Sequence, residues 1–311
     1  MEGLIPSRLR LNVFPGGFNW PSFVAQHEGM FAREGLSVEL LSTTGSVAQM
    51  TGLAAGEFDI AITAFDNVVA YVEGQGEAPI GAQPEFFAFM GSDDSFLALV
   101  AGPEISRIPE LRRRSLSVDA ATTGYAFVLF DMLERAGLKE GAYTIRKVGG
   151  MAQRFDDLCR GASAATLLSA PYDLIAERAG MRVLARLEPP YQGNVAAARR
   201  SWANRQPKLV AGFVRAYVAA LRWLAISANR GPACEILVRH VPGMTQELAE
   251  ASHALMLRGH SGFSCDGQIE PDGVARVLRL RSRYAAANRK LHEPRKYSDL
   301  RYWQLAFAGG G

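Results

Sequence analysis

Between Leu9 and Ala64 three short apolar runs alternate with helical patterns. The runs Leu9 to Phe14, Val38 to Leu41 and Asp59 to Ala64 are nearly continuously apolar, as strands buried on both faces are. Trp20 to Glu34 carries apolar residues at Trp20, Phe23, Val24, Met30 and Phe31, with Pro21 suited to a first helical turn and Gly35 to a stop. His27 falls on the side of this helix away from Phe23 and Phe31, a surface position. Ser46 suits an N-cap for a helix over Val47 to Ala55 that Gly56 ends, and a further helix runs from about Asp66 to Gly74. Three strand-to-helix loops therefore follow, at Pro15 to Pro21, Ser42 to Ser46 and Phe65 to Asn67. In an open parallel sheet such loops share the carboxyl edge, where ligands bind near the topological switch point.

The same pattern recurs further on. Phe86 to Gly91 and Phe96 to Gly102 are apolar runs around the polar tetrad Ser92 to Ser95, and the second reads as the first strand of another lobe. Strands at Leu116 to Ala120, Thr144 to Val148 and Ala165 to Leu168 hand over to helices at Tyr125 to Ala136, Met151 to Arg160 and Tyr172 to Ala179. Their loops are Ala121 to Gly124, Gly149-Gly150 and Ser169 to Pro171. Met181 to Leu187 is another strand, Pro189-Pro190 breaks it, and Asn194 to Ala198 is an extended run that returns the chain to the first lobe. From Ser201 the pattern is helical, over 201–204, 208–228, 232–241, 245–260 and 272–291, with no further clear strand. The stripe Phe213, Tyr217, Ala220, Leu221 and Leu224 has helical spacing and reads as core. The expectation is an α/β protein of two lobes, each a mostly parallel sheet flanked by helices, joined by two crossover strands. Lobe one comprises residues 1–94 with 197–311, its helical tail packed on it, and lobe two residues 95–196.

Composition narrows the function. A chain of 311 residues with 48% hydrophobic residues is long enough for two packed lobes. Its net charge is only +3, and apart from Arg112 to Arg114, which reads as a solvated turn, the arginines are dispersed, so no nucleic-acid footprint is indicated. Cys159, Cys234 and Cys265 are far apart, with no spacing that assembles a metal site locally, and no metal or cofactor is expected. No run reaches the length of a membrane-crossing helix, so direct membrane insertion is not expected. The opening MEGLIPSRLRLNVF lacks the order of a secretory leader, which leaves two readings: a periplasmic protein whose signal was removed, or a cytoplasmic one. Beyond the terminal Gly309-Gly310-Gly311 there is no low-complexity segment.

Several stretches resemble a known family. Trp20-Pro21, GMFAREGLSVE at Gly29 to Glu39, SVAQM at Ser46 to Met50, AAGEFDIA at Ala54 to Ala61 and Asn67 are similar to the opening of the type II solute-binding proteins of ABC transporters. ISRIPELR at Ile105 to Arg112, SVDAATTGYAF at Ser117 to Phe127, Gly149-Gly150 and RSWA at Arg200 to Ala203 extend the resemblance over roughly residues 9 to 230. The branch resembled binds aliphatic sulfonates, nitrate-like anions or thiamine pyrimidine precursors, and includes the related pyrimidine synthases. The resemblance implies a periplasmic-binding-protein type II fold that closes like a flytrap on a small molecule. By matched position the site draws on Phe18, Asn19 and Trp20, on Thr44, Gly45 and Ser46, and on Phe65, Asp66 and Asn67 from lobe one. From lobe two it draws on Thr122, Thr123, Gly124 and Tyr125, on Gly150, and on Pro171 and Tyr172.

The chemistry of these residues points two ways. Helix N-termini at Ser46 and at Gly124 to Tyr125 would favour an anion, and aromatic walls would bury a ring. Asp66 in one ligand loop opposes a negative ligand, and no basic residue occurs in these loops to offset it, which favours a neutral or cationic aromatic or heterocyclic compound; the other role for Asp66 is a helix cap. The leading expectation is a bacterial solute-binding protein that presents its ligand to an ABC permease, with no catalytic residues. The alternative is a cytoplasmic enzyme on the same fold, lyase- or decarboxylase-like, with Asp66 or Asp173 as its thin candidates. The pyrimidine synthases use a substrate histidine and a cysteine-rich motif, and no cysteine cluster occurs here. A monomer suits transport, whereas a dimer suits an enzyme.

Overall fold

Strands form where the apolar runs lie, and the two crossings divide them into two sheets. A computed structural model of the chain describes residues 6–78, 80–81, 84–258, 261–285 and 289–308; His260 and Gly309-Gly310-Gly311 lie outside them. In chain order β1 (Ser7–Val13), α1 (Trp20–His27), α2 (Met30–Arg33), β2 (Leu36–Ser42), α3 (Ser46–Ala55), β3 (Ile60–Ala64), α4 (Phe65–Val72) and β4 (Phe86–Gly91) come first. The chain then crosses into β5 (Ala98–Ala101), β6 (Ser115–Val118), α5 (Gly124–Arg135), β7 (Thr144–Lys147), α6 (Met151–Cys159), β8 (Ala165–Leu168), α7 (Tyr172–Arg178) and β9 (Arg182–Arg186). It returns through β10 (Asn194–Arg199) to a tail of α8 (Arg200–Arg205), α9 (Pro207–Ala225), α10 (Arg230–His240), α11 (Gln246–Met256), β11 (Leu257–Arg258), β12 (Ser261–Gly262), α12 (Pro271–Tyr284) and α13 (Arg301–Phe307).

The two sheets share one plan. The first has the order β2-β1-β3-β10-β4 and the second β7-β6-β8-β5-β9. In the first, β1 runs parallel to β2 and β3 while β10 is antiparallel to β3 and β4. In the second, β6 is parallel to β7 and β8, and β5 is antiparallel to β8 and β9. Each crossing strand thus enters its sheet against the direction of the parallel set, beside the third parallel strand. The carboxyl ends of β1, β2 and β3 and of β6, β7 and β8 each lead into a helix, as the alternation of patterns requires.

Burial follows the period of two. In β3 Ile60 and Ile62 join one apolar cluster and Ala61 the other; in β4 Phe87 and Phe89 part from Phe86 and Ala88 in the same way. One cluster lies under α1, α2 and α9, where Phe213, Tyr217, Ala220, Leu221 and Leu224 are all buried. The second runs from the opposite face of the first sheet through α4 and α12 into the second sheet. Helices α9 and α13 rest on the first lobe as the tail is expected to, and α12 goes further, packing on both α4 and α5. No single helix among the described residues is long and apolar enough to cross a membrane.

Four local features depart from the sequence expectation. The helix over 20–34 is two, because Gly29 takes a left-handed conformation with φ 65° between α1 and α2. The crossing strand starts at Ala98, since Ser95 and Phe96 have φ 81° and 48° in a turn that the Asp93 and Asp94 carboxylates accept hydrogen bonds to hold. A short hairpin of β11 and β12 follows α11, so the tail does contain strand. Helix α12 ends at Tyr284, and α13 beyond it has too short an apolar pattern to be read alone.

Candidate ligand-binding site

Six strand-to-helix turns face one another across the seam between the sheets. Between them lies a cavity bordered by Phe14, Phe18, Ala64 and Asn67 from the first lobe, Asp119, Thr123, Gly124, Tyr125, Gly150, Met151, Arg154 and Ser169 from the second, and Ser95 and Asn194 from the two crossings. It leaves about 50 Å³ in which a water-sized sphere can move, room for roughly three to five waters. The lobes touch around it. Gly150 N donates to Thr44 O at 2.9 Å, Ser46 N to Asp119 Oδ2 at 3.1 Å, Ala121 N to Glu77 Oε1 at 2.9 Å, and Lys147 Nζ meets Glu77 Oε2 at 3.0 Å. The cleft is closed.

The expected site residues fall into three groups. Phe18, Asn67, Thr123, Gly124, Tyr125 and Gly150 border the cavity. Thr44, Gly45 and Ser46 form its rim against Asp119 and Gly150, with a Cβ on Gly45 reaching 3.3 Å from Asp119 Oδ1. The rest point elsewhere. Trp20 is 0% exposed, donates Nε1–H to Ala233 O at 2.9 Å and stands edge-on to His253, so it belongs to the core between α1, α10 and α11. Phe65 is buried against Tyr297, Asn19 donates its amide to Phe14 O and shapes the first loop, and Tyr172 packs on Phe155. Pro171, after a cis peptide, sits against Gly17 at the seam, and Thr122 presents its carbonyl to Arg281.

Asp66 requires the largest correction. It is not an unpaired carboxylate facing a ligand: Arg281 on α12 donates Nε to its Oδ1 at 2.7 Å and Nη2 to its Oδ2, with both residues buried. The same guanidinium donates to Gln75 Oε1 at 3.0 Å and Thr122 O at 2.7 Å, and its Cζ lies 4.9 Å from the Phe127 ring centroid. Asp173, the other carboxylate considered for catalysis, is likewise buried and receives Arg186 Nη1 at 2.7 Å; burial pushes it up, against the pull of that arginine.

The sequence reading also missed a cation. Arg154, in the first turn and a half of α6, is 4% exposed and borders the cavity. Helical side chains lean toward the N-terminus of their helix, so a residue here covers the turn that starts at Gly150. Its Nη1 donates to Leu167 O at 2.7 Å, while Nε is buried without a hydrogen-bond partner among the described residues. Burial lowers its pKa, and Asp119 and Tyr125 pull the other way. The glycine at Gly150 and the helical pattern after it were the only sequence signals for this position.

The wall supplied by the crossings rests on Asp93. Its carboxylate accepts from Ser95 N at 2.8 Å, Asn194 N at 3.0 Å and Asn194 Nδ2 at 2.9 Å, which ties the outgoing crossing to the returning one. Tyr125 Oη then meets Ser95 Oγ at 2.9 Å. Desolvation raises the Asp93 carboxyl from 3.8 to about 6, against the donors around it. The folded protein therefore holds this proton more tightly than the unfolded chain. Its contribution to stability is full below pH 4 and is lost as the pH rises through 6. Asp93→Asn keeps the shape and lets the Asn194 amide turn to pair with it, so the stability difference between variant and wild type should grow in the variant's favour by roughly 2–3 kcal/mol from pH 4 to pH 7. Urea unfolding at several pH values measures this.

Solved structures share this fold. A Bordetella bronchiseptica RB50 protein superposes with TM-score 0.80 at 18% identity, over 99% of both chains. The periplasmic nitrate-binding protein NrtA of Synechocystis PCC 6803 gives 0.79 at 13% identity over 98% of this chain and 89% of that one. The alkanesulfonate-binding protein SsuA of Xanthomonas axonopodis pv. citri, bound to MOPS, gives 0.72 at 14% identity over 89% and 91%. The fold is that of the periplasmic binding proteins. A search of curated proteins finds no significant match. At the level of sequence, the family model described as NMT1/THI5 like matches residues 19–227, two thirds of the chain and all six cavity loops but for the first residues of the first, and this protein belongs to the NMT1/THI5-like family.

Proposed function

We propose that this protein is a solute-binding component of an ABC-type importer, which encloses one small molecule between its lobes and delivers it to a permease. The observation that carries this is the closed cavity itself, with walls from both sheets and both crossings and hydrogen bonds between the lobes along its rim. Proteins of this fold include the nitrate-binding and alkanesulfonate-binding proteins above and a ligand-binding component of an ABC-type import system from Staphylococcus aureus. Delivery to a permease places the working protein outside the cytoplasmic membrane, in the periplasm. The two moving lobes follow the division at residues 94/95 and 196/197, except that Asn194 to Ala196 pair in the first sheet and go with lobe one. The crossings tied by Asp93 are the hinge.

The walls describe the solute. Phe14, Phe18 and Tyr125 offer ring faces and edges, and Asn67, Thr123, Ser95 and Asn194 offer hydrogen-bonding groups. A small organic compound with both apolar and polar groups fits such walls. The preference for a neutral or cationic one rested on Asp66 and on the lack of a basic residue in the loops, and both grounds fall away with Arg281 paired to Asp66 and Arg154 on the cavity. Phe18→Ala and Tyr125→Ala should each weaken the tightest-binding solute at least tenfold in calorimetric titration while both variants stay folded; unchanged affinity in both would place the solute elsewhere.

A further inference from the structure

We infer that the solute is a small zwitterion, with an oxyanion seated on Arg154 and an amino nitrogen on Asp119. This deepens the solute-binding reading and rests on it. Both residues border the same cavity, and among the described residues no ion pair joins them. Two opposite charges thus border one small space, acting on each other through it without direct contact.

Each end has its own observation. At the Arg154 end the guanidinium is buried, one nitrogen is spent on Leu167 O, and Nε has no partner among the described residues. A buried charged donor left unsatisfied is costly, so an acceptor belongs there. The N-termini of α5 and α6 open onto the same cavity at Gly124 and Gly150, and their first N–H groups have no partner within the helix, which adds positive potential. At the other end Asp119 uses Oδ2 on Ser46 N, where α3 begins, and its Oδ1, which lies beside Gly45, has no hydrogen-bond donor among the described residues. Tyr125 and Phe18 border the same cavity, and aromatic rings favour a cation near their faces.

Charge arithmetic selects between solutes. A monoanion satisfies Arg154 but meets the Asp119 carboxylate in the same small cavity, and a cation satisfies Asp119 but meets the guanidinium. A solute with both charges leaves none unpaired, which is the condition for burying charge at modest cost. The narrow space limits it to a short separation between its two groups. An oxyanion of either kind, carboxylate or sulfonate, suits the guanidinium.

The test is calorimetric titration of the full chain with glycine, β-alanine, 4-aminobutyrate and 2-aminoethanesulfonate, next to the single-charge compounds propionate and propylamine and the neutral compounds nicotinamide and cytosine. The expected result is at least 30-fold tighter binding of one zwitterion than of either propionate or propylamine. Arg154→Gln and Asp119→Asn should each reduce that affinity at least 30-fold. Each should also improve one single-charge compound, the amine for Arg154→Gln and the carboxylate for Asp119→Asn, which a merely structural role would not do. Arg154→Lys, which keeps the charge, should retain part of the binding if Arg154→Gln folds poorly. Propionate bound as tightly as the best zwitterion, with Asp119→Asn silent, would overturn the inference in favour of a monoanion. Binding of a neutral compound with both charge variants silent would overturn it and leave the solute-binding role standing. If no compound of any class binds, both fail.

Discussion

Arg281→Met should destabilise the protein by about 3–5 kcal/mol, because it leaves the Asp66 carboxylate buried with its charge uncompensated. The guanidinium makes four hydrogen bonds, to both Asp66 oxygens, Gln75 and Thr122, and no water reaches the pair to replace them. The pair itself adds less than its removal costs, since both ions were desolvated to form it. Asp66→Asn in the same chain should therefore recover part of the loss, as an amide tolerates burial where a lone carboxylate does not. Denaturant unfolding of the two single variants and the double variant gives the result directly. A loss under 1 kcal/mol for Arg281→Met, or no recovery in the double variant, would mean that the pair is not the fixed point the structure makes it.

The second large effect falls on closure. Gly124 opens α5 where that helix meets Asp66 across the seam, and a methyl at its Cβ position would overlap Asp66 Cβ and Cγ and come 2.9 Å from Oδ2. Asp66 cannot step aside, because Arg281 holds both its oxygens. Gly124→Ala is then a wedge between two lobes that are each intact. Alanine suits a helix start well enough that the fold of the second lobe should persist. Solute affinity should fall at least 100-fold, about 2.7 kcal/mol, because only the closed form brings Asn67 and Phe18 to the same molecule as Tyr125 and Arg154. Gly150 tests the same seam more gently, as its Cβ would meet Thr44 O at 3.0 Å.

The architecture could be read from the chain because its signals are local. Continuous apolar runs such as Ile60 to Ala64 announce buried strands, and a small residue before each helical pattern marks the turn. Those signals locate six loops but do not orient side chains. Trp20 and Gly124 are both loop-edge residues in the sequence, yet α10 supplies a carbonyl for the indole and takes Trp20 into the core, while Gly124 stays on the cavity. The pairing of Asp66 with Arg281 spans 215 positions, and no local pattern carries such a contact. Arg154 was hidden for a different reason: it sits within a helix, where a charged residue ordinarily faces solvent, and only the tilt of its side chain over Gly150 brings it to the cavity. Ser95 and Asn194 were marked as crossings, and their part in the wall follows from Asp93, which joins them at one carboxylate.

Closure of the two lobes around one solute is the central claim, and small-angle X-ray scattering of wild type and Gly124→Ala, each with and without the tightest-binding solute, tests it most directly. Wild type should contract when the solute is added and scatter as the closed structure does, while Gly124→Ala should stay expanded at the same concentration. Equal contraction of both proteins, or no change in the wild type at saturating solute, would contradict it.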